Sequence, residues 1–132
     1  MTRAVIADTG PLYAASDEGD THYQRAHREL KALARDGREV LIAYPILFEA
    51  YSLVLFRLGR KAAIEWLDEL ADASLVSPTP EDYRHAFLRV RRLADQGITL
   101  FDATLASMAE RLNVEVWTYD HHFDVMRVPV WR

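Results

Sequence analysis

The sequence predicts an α/β fold: a three-layer α/β/α domain with a mostly parallel central sheet of four to five strands. Two observations predict it. Short apolar runs of strand length recur along the chain, and the segments between them repeat apolar residues at helical spacing. Strands that alternate with helices form parallel sheets covered on both faces, so we expect one domain over residues 1–132.

The predicted strands are short and differ in pattern. They are residues 4–7, 40–43, 74–77, 114–118 and 128–130. The first two are continuous apolar runs typical of buried parallel strands, whereas the run at 74–77 is weaker. Pro129 cannot donate to a central ladder, so the last segment is predicted as an edge strand.

The predicted helices lie between these strands and are bounded by turn residues. They are residues 20–35, 45–58, 63–71, 80–95 and a helix that includes 105–112. Pro45 suits the first turn of the second helix, and Gly37, Gly59 and Gly97 follow helix ends. Trp66 recurs at helical spacing with apolar neighbours, which favours a core or dimer-interface position over a base-stacking role.

Composition excludes several classes of protein. A net charge of -4 argues against binding nucleic acid through a broad basic surface, but not against an enzyme whose carboxylates bind metal. Without cysteine, any metal must be bound by oxygen or imidazole. No apolar run reaches the roughly 18 residues of a membrane span, and no export signal is recognisable, so we expect a cytoplasmic protein without membrane attachment.

Four acidic residues follow strands or begin helices at related positions. Asp8 follows the first strand, Asp120 follows strand 114–118, and Glu49 and Asp102 lie in the first turns of helices. The carboxyl ends of parallel strands meet at one edge of a sheet, where ligands bind. Several carboxylates at one edge repel each other unless a hard cation such as Mg²⁺ or Mn²⁺ lies among them. Such a centre hydrolyses phosphodiesters.

Each acid also has a purely structural interpretation. Asp8 could cap a short helix beginning at Pro11, and Asp102 could complete a capping box with Thr99. Asp120 could serve a turn, and Glu49 could be a solvated acid on a helix face. The coincidence of all four positions favours a shared site.

These residues carry a family resemblance over nearly the full length of the chain. The sequence resembles the PIN-domain nucleases, most closely the VapC-type toxins of bacterial toxin–antitoxin pairs. The matching segments are Val5-Ile6-Ala7-Asp8-Thr9, Ile46-Leu47-Phe48-Glu49-Ala50, Leu100-Phe101-Asp102-Ala103-Thr104-Leu105-Ala106 and Thr118-Tyr119-Asp120-His121-His122-Phe123. Two positions depart from the family. Gly10 stands where many relatives have Ser or Asn, with Thr9 as the nearest substitute, and Tyr44-Pro45 replaces a Ser or Thr helix cap.

The resemblance implies a metal-dependent endoribonuclease. It implies that Asp8, Glu49, Asp102 and Asp120 bind Mg²⁺ or Mn²⁺, that Thr118 orients a carboxylate or water, and that Asp124 is a more peripheral acid. It further implies that the enzyme cleaves translation-related RNA, that a small antitoxin silences it, and that it forms a homodimer and a toxin–antitoxin hetero-oligomer.

Cationic residues outside the four acids are candidates for RNA contact. Arg57, Arg60 and Lys61 surround the turn at Gly59, and His85, Arg89 and Arg92 share a helical face. Both sets could contact phosphate, or could be a helix C-terminal cation and a solvated face.

Two adjacent histidines, His121 and His122, follow Asp120. Adjacent residues do not readily turn both rings toward one ion, so we expect at most one of them to touch RNA or metal, the alternative being surface histidines. His121 is the candidate RNA contact.

Two other functions remain open at this point. One is a PIN-type nuclease of RNA maturation or DNA processing, and the other is a non-catalytic PIN-like binding module whose acids only cap helices.

Overall fold

The computed structural model describes residues 3–132 and contains a four-stranded, all-parallel sheet in the order β3-β2-β1-β4. The strands are β1 Val5–Ala7, β2 Val40–Ala43, β3 Ser74–Val76 and β4 Glu115–Trp117. The helices are α1 Thr9–Ser16, α2 Tyr23–Arg35, α3 Tyr44–Leu58, α4 Arg60–Glu69, α5 Pro80–Arg92, α6 Leu100–Leu112 and α7 His122–Val125. A parallel sheet flanked by helices confirms the predicted α/β class.

The central strand β1 is paired on both sides and buried on both faces. Ile6 is in register with Leu41 of β2 and Val116 of β4. Ile6 packs into the cluster formed with α5 and α6, whereas Val5 and Ala7 pack with Leu33 of α2. Burial on both faces explains why this strand reads as a continuous apolar run.

The face of the sheet that packs against α2 is covered by α1, α3 and α4 as well. Ile42 of β2 packs there with Tyr13 of α1, with Ala50 of α3 and with Trp66 of α4. Trp66 is buried in this cluster, so its predicted core position is confirmed. No helix in residues 3–132 has both the length and the apolar character required to cross a bilayer.

Three segments differ from the sequence-based predictions. The short helix α7 was not predicted, and α1, which begins at Thr9, was considered only as a helix starting at Pro11. Helix α5 ends at Arg92, and a 3₁₀ turn over Ala94–Gln96 replaces its predicted last turn.

The predicted edge strand at 128–130 is reduced to a single bridge between Val116 and Val130. Val116 donates its N–H to the carbonyl of Pro129 at 2.9 Å, and its own carbonyl accepts from Trp131 at 2.9 Å. Proline contributes an acceptor there but no donor, which limits the pairing to one bridge.

An ion pair with a buried carboxylate and a partly exposed guanidinium connects α5 to α6. The carboxylate of Asp82, which is 1% exposed, accepts hydrogen bonds from Arg111 Nε at 3.0 Å and from its terminal nitrogen at 2.9 Å. Asp82 also closes a capping box with Thr79 at the start of α5. Burial alone would raise the pKa of Asp82, but the hydrogen bonds from Arg111 and Thr79 outweigh it and lower that pKa.

We expect Asp82→Ala to reduce the free energy of unfolding by about 2 kcal/mol at neutral pH, because it removes the capping box of α5 and the hydrogen bonds to the partly exposed Arg111 guanidinium. Because the folded-state pKa of Asp82 is lowered, this contribution is lost as the pH falls through that value. Urea denaturation followed by circular dichroism measures both effects.

The neighbouring exposed pair provides a matched control. Glu81 pairs with Arg84 at the surface, and Glu81→Ala should change stability by less than about 0.5 kcal/mol. Equal, small losses for the two variants would show that the Asp82 pair does not stabilise the packing of α5 on α6.

Candidate metal centre

The four predicted acids line one open cleft at the carboxyl edge of the sheet. β1 lies between β2 and β4, so the chain leaves all three strands at the same edge. The cleft has a volume of about 510 Å³. Its lining residues are Asp8, Thr9, Gly10, Glu49, Leu53, Thr99, Asp102, Tyr119, Asp120 and His121. The sequence placed the acids at this edge, and the structure brings them to one cavity.

Asp8 is the most buried of the four, with 6% of its surface exposed. Its Oδ1 accepts the backbone N–H of Thr9 at 2.8 Å, which makes Asp8 the N-cap of α1. Its Oδ2 accepts the hydroxyl of Thr118 at 2.7 Å. The capping interpretation and the site interpretation of Asp8 are therefore both compatible with its position.

The surroundings of Asp8 disfavour its negative charge. Burial raises the pKa of Asp8 to about 7, against the opposing hydrogen bonds from Thr118 and Thr9. The nearby charges of Asp102 and Asp120 make smaller contributions to this rise in the pKa. At neutral pH the ionised carboxylate is thus costly in the absence of a cation.

Glu49 is held beside Asp8 by a contact between distant parts of the chain. The hydroxyl of Thr9 donates to Glu49 Oε1, which ties the start of α1 to the second turn of α3. Burial raises the pKa of Glu49, the Thr9 hydrogen bond lowers it, and the charge of Asp102 raises it again. The net direction is upward.

Asp102 lies in the first turn of α6 and closes a capping box. Its backbone N–H donates to the hydroxyl of Thr99 at 3.1 Å, and its carboxylate accepts the N–H of Thr99 at 3.5 Å. Burial and the charge of Asp120 raise the pKa of Asp102, although Thr99 and His122 act in the opposite direction. The predicted capping role is present, and the carboxylate also lines the cleft.

Asp120 is connected to Asp8 through a single threonine. The backbone N–H of Asp120 donates to Thr118 Oγ at 2.9 Å, while the same hydroxyl donates to Asp8. His122 donates its backbone N–H to Asp120 Oδ1 at 2.9 Å. Thr118 therefore sets the positions of two acids at once.

Both adjacent histidines lie beside one carboxylate, which their adjacency in sequence did not predict; that at most one of them contacts RNA or metal stays a prediction. Both His121 and His122 turn a ring nitrogen toward Asp120 Oδ1, at 3.6 and 3.1 Å, because the chain coils into α7 and brings their ring centroids within 4.4 Å. Possible ligand atoms of these three residues lie within 4.8 Å of one another. In residues 3–132 no other group of three acidic or histidine side chains comes so close, so no three of the four carboxylates lie within that distance of one another.

This donor set fits a divalent cation. Carboxylate oxygens, one of them deeply buried, are the ligands that Mg²⁺ and Mn²⁺ prefer, and imidazole nitrogen is accepted by Mn²⁺ and later transition metals. Three of the four carboxylates have raised pKa values, largely because they are buried. A cation in the cleft would offset both the cost of burying these carboxylates and the repulsion between their charges.

The predicted peripheral acid and three of the predicted RNA-contact residues do not line this cleft. Asp124 is exposed and pairs with Arg132 at 2.9 Å, and Lys61 pairs with Glu65 at 3.7 Å. Arg57 lies over the ring of Tyr13 at 4.9 Å, and Arg60 is exposed. The structure thus does not bring these four side chains to the acids.

Tyr119 was not predicted but lines the cleft. Its hydroxyl donates to Glu29 of α2 at 2.5 Å, and the guanidinium of Arg25 lies 4.2 Å from its ring centroid. The only signal in the sequence is its position after a strand, between Thr118 and Asp120. Its partners on α2 lie about ninety residues away and leave no local pattern.

Comparisons with known proteins agree with this architecture. The sequence profile of the family described as PIN domain matches residues 5–129. No curated protein matches the chain by sequence. VapC20 of Mycobacterium tuberculosis, described as a sarcin–ricin-loop-cleaving toxin, superposes with a TM-score of 0.84 at 19% identity, over 97% of this chain and 98% of that one.

Two further solved structures share the fold at similarly low sequence identity. VapBC2 of Rickettsia felis, bound to a DNA fragment from its promoter, has a TM-score of 0.75 at 17% identity, covering 98% of this chain and 97% of that one. VapBC-1 of nontypeable Haemophilus influenzae has a TM-score of 0.69 at 14% identity, with 97% and 96% covered. At these identities the likeness establishes a common fold.

Proposed function

Since this chain belongs to the PIN-domain family, we propose that it is a divalent-metal-dependent endoribonuclease and the toxin of a toxin–antitoxin pair. The observation that carries the proposal is the single cleft lined by Asp8, Glu49, Asp102 and Asp120. A cleft with this many carboxylates is suited to a cation and, through it, to a phosphodiester.

The four acids would hold Mg²⁺ or Mn²⁺. When bound, the cation supplies Lewis-acid stabilisation of the charge on the scissile phosphate and lowers the pKa of water at the site. Thr118 fixes the Asp8 carboxylate and the Asp120 backbone, and Thr9 fixes Glu49. These hydroxyls keep the carboxylates oriented, as outer-shell partners of metal ligands generally do.

Hydrolysis then follows from this arrangement. Water loses a proton and forms a bond to phosphorus, while one bridging oxygen leaves the phosphorus and takes up a proton, so the RNA strand is cut. The cleft is open to solvent, which suits a flexible single strand or loop better than a small ligand.

The biological role is proposed from the solved relatives. VapC20 is described as a toxin that cleaves the sarcin–ricin loop, and VapBC2 and VapBC-1 are named as complexes of two proteins. We accordingly propose a translation-related RNA substrate, a small antitoxin partner, a homodimeric toxin and a cytoplasmic location.

Brief induction followed by mapping of RNA ends tests the proposal. The wild-type protein should create new ends in one class of RNA and arrest growth, and co-expression of the antitoxin should restore growth. Asp102→Asn, produced at the same level and folded by circular dichroism, should create none of these ends. In vitro, EDTA should abolish cleavage and Mg²⁺ or Mn²⁺ should restore it. Harmless overproduction of an intact protein with unchanged RNA would contradict the proposal.

A further inference from the structure

A second cleft is built partly on the same helix α6 as the acidic cleft, and its charged lining side chains are mostly basic. It has a volume of about 570 Å³ and lies between α5, the C-terminal half of α6, and the end of α7 with the residues that follow it. Its lining residues are His85, Arg89, Arg92, Leu93, Glu110, Val125, Met126 and Arg127. Three guanidinium groups therefore face one carboxylate. In a chain of net charge -4 this is a local concentration of positive charge.

Arg89 is built into the wall of this cleft. Its side chain is only 16% exposed, donates to Ser107 Oγ at 2.8 Å and pairs with Glu110. Burial, together with the positive charge of Arg92, lowers the pKa of Arg89. The carboxylate of Glu110 is thus already engaged by Arg89, so it leaves the other cations of the cleft without a counter-charge.

Arg92 and Arg127 supply the unused charge. Within residues 3–132, neither side chain has a hydrogen bond or ion pair with another residue. Arg127 also has a left-handed backbone, with φ of 58°, in the turn that ends α7. Free guanidinium groups bind phosphate oxygens in a bidentate manner, which a lysine ammonium does not reproduce.

The two clefts share their structural elements. Helix α6 carries Asp102 in its first turn and Glu110 eight residues later, a rise of about 12 Å at 1.5 Å per residue. The chain that includes α7 likewise connects Asp120 to Arg127. A strand cut at the acids would reach the arginines within a few nucleotides.

We propose that this cationic cleft binds the phosphate backbone of single-stranded RNA next to the cleaved bond. The inference rests on the proposed ribonuclease function. The acidic cleft repels a polyanion, so an adjacent anchor of opposite charge would hold the strand in place. Proximity to the acids favours RNA over an acidic protein segment, which is the competing ligand for such a cleft.

Salt-dependent RNA binding tests the proposal. The double variant Arg92→Gln/Arg127→Gln is compared with Arg91→Gln, an exposed arginine of the same helix that does not line the cleft. Fluorescence anisotropy measures binding of a short, labelled, mixed-sequence RNA to the full chain in EDTA, so that cleavage does not interfere. Each lost phosphate contact to a single strand should reduce the slope of log K against log salt by about 0.7.

We expect the double variant to lose about 1.4 from this slope and to bind RNA roughly tenfold more weakly at low salt, whereas Arg91→Gln should match the wild type. With Mg²⁺, the double variant should raise KM and leave kcat within about twofold. Its melting temperature and its Mn²⁺ affinity should be unchanged.

Other outcomes separate this inference from the proposed function. Metal-dependent cleavage with wild-type slope and KM in the double variant would overturn the cleft proposal and leave the nuclease proposal intact. If the double variant binds RNA like the wild type but no longer binds a polyglutamate peptide, the cleft binds an acidic protein segment, and the RNA proposal for the cleft is overturned as well. If the salt slope of RNA binding falls as expected in the double variant but the wild-type protein never cleaves RNA, the cationic-cleft proposal is supported and the nuclease proposal is contradicted.

Discussion

Replacing Asp8 with Asn should reduce RNA cleavage by about 10²–10³-fold or more, the loss typical of removing one preorganised electrostatic contact to a transition state. Asp8 is the most buried of the four acids, and its carboxylate accepts a hydrogen bond from the hydroxyl of Thr118. The amide keeps the size of the carboxylate and an acceptor for the N–H of Thr9, so the helix cap is retained. Initial rates on a cleavable RNA at saturating Mg²⁺ measure the effect.

The control for this variant is an aspartate far from the cleft. Asp68 is exposed on α4, and Asp68→Asn makes the same change in net charge. It should cleave RNA at the wild-type rate. Undiminished cleavage by Asp8→Asn, insensitive to EDTA, would refute the role given to the acids.

The same substitution should make the metal-free protein more stable, not less. Burial raises the pKa of Asp8 from 3.8 to about 7, and 1.36 kcal/mol per pKa unit converts this to about 4 kcal/mol at most. Because the amide replaces one acceptor oxygen with a donor opposite Thr118, we expect a gain of about 2–4 kcal/mol. In thermal melts in EDTA at about pH 8 this corresponds to roughly 5–15 °C.

The pH dependence of this gain has a definite sign. Since the folded-state pKa of Asp8 is raised, its contribution to stability is fully present below about pH 4 and is lost as the pH rises through about 7. The wild type should therefore approach Asp8→Asn in stability at about pH 5 and fall below it at about pH 8.

Saturating Mn²⁺ should reverse the order at the higher pH, because only the wild type gains a ligand. If metal-free Asp8→Asn melts below the wild type at both pH values, the ionised Asp8 carboxylate stabilises the fold and the expected cost of its buried charge is absent.

The fold was predictable because its strong elements have clear periodicity. The apolar run at Val5–Ala7 and the helical repeats of α2 and α3 each depend on local residue order. Helix α7 has only four residues, too few for a repeat, and α1 carries Gly10 and Pro11 near its start. Such short elements form because tertiary contacts stabilise them, and local pattern does not encode those contacts.

The candidate site was predictable to the level of the sheet edge. Asp8 and Asp120 follow strands that lie side by side, so topology alone brings them together. The contact between Thr9 and Glu49 joins residues forty positions apart, and the turn of His121 and His122 toward Asp120 depends on α7. These details require side-chain positions in three dimensions.

The central claim is that one cleft of carboxylates binds a divalent cation, and a Mn²⁺ titration followed by electron paramagnetic resonance tests it most directly. The wild-type protein should bind Mn²⁺ saturably in competition with Mg²⁺, Asp8→Asn and Asp102→Asn should lose that binding while folded, and Asp68→Asn should retain it. Binding that is absent in the wild type, or equal in all four proteins, would contradict the claim.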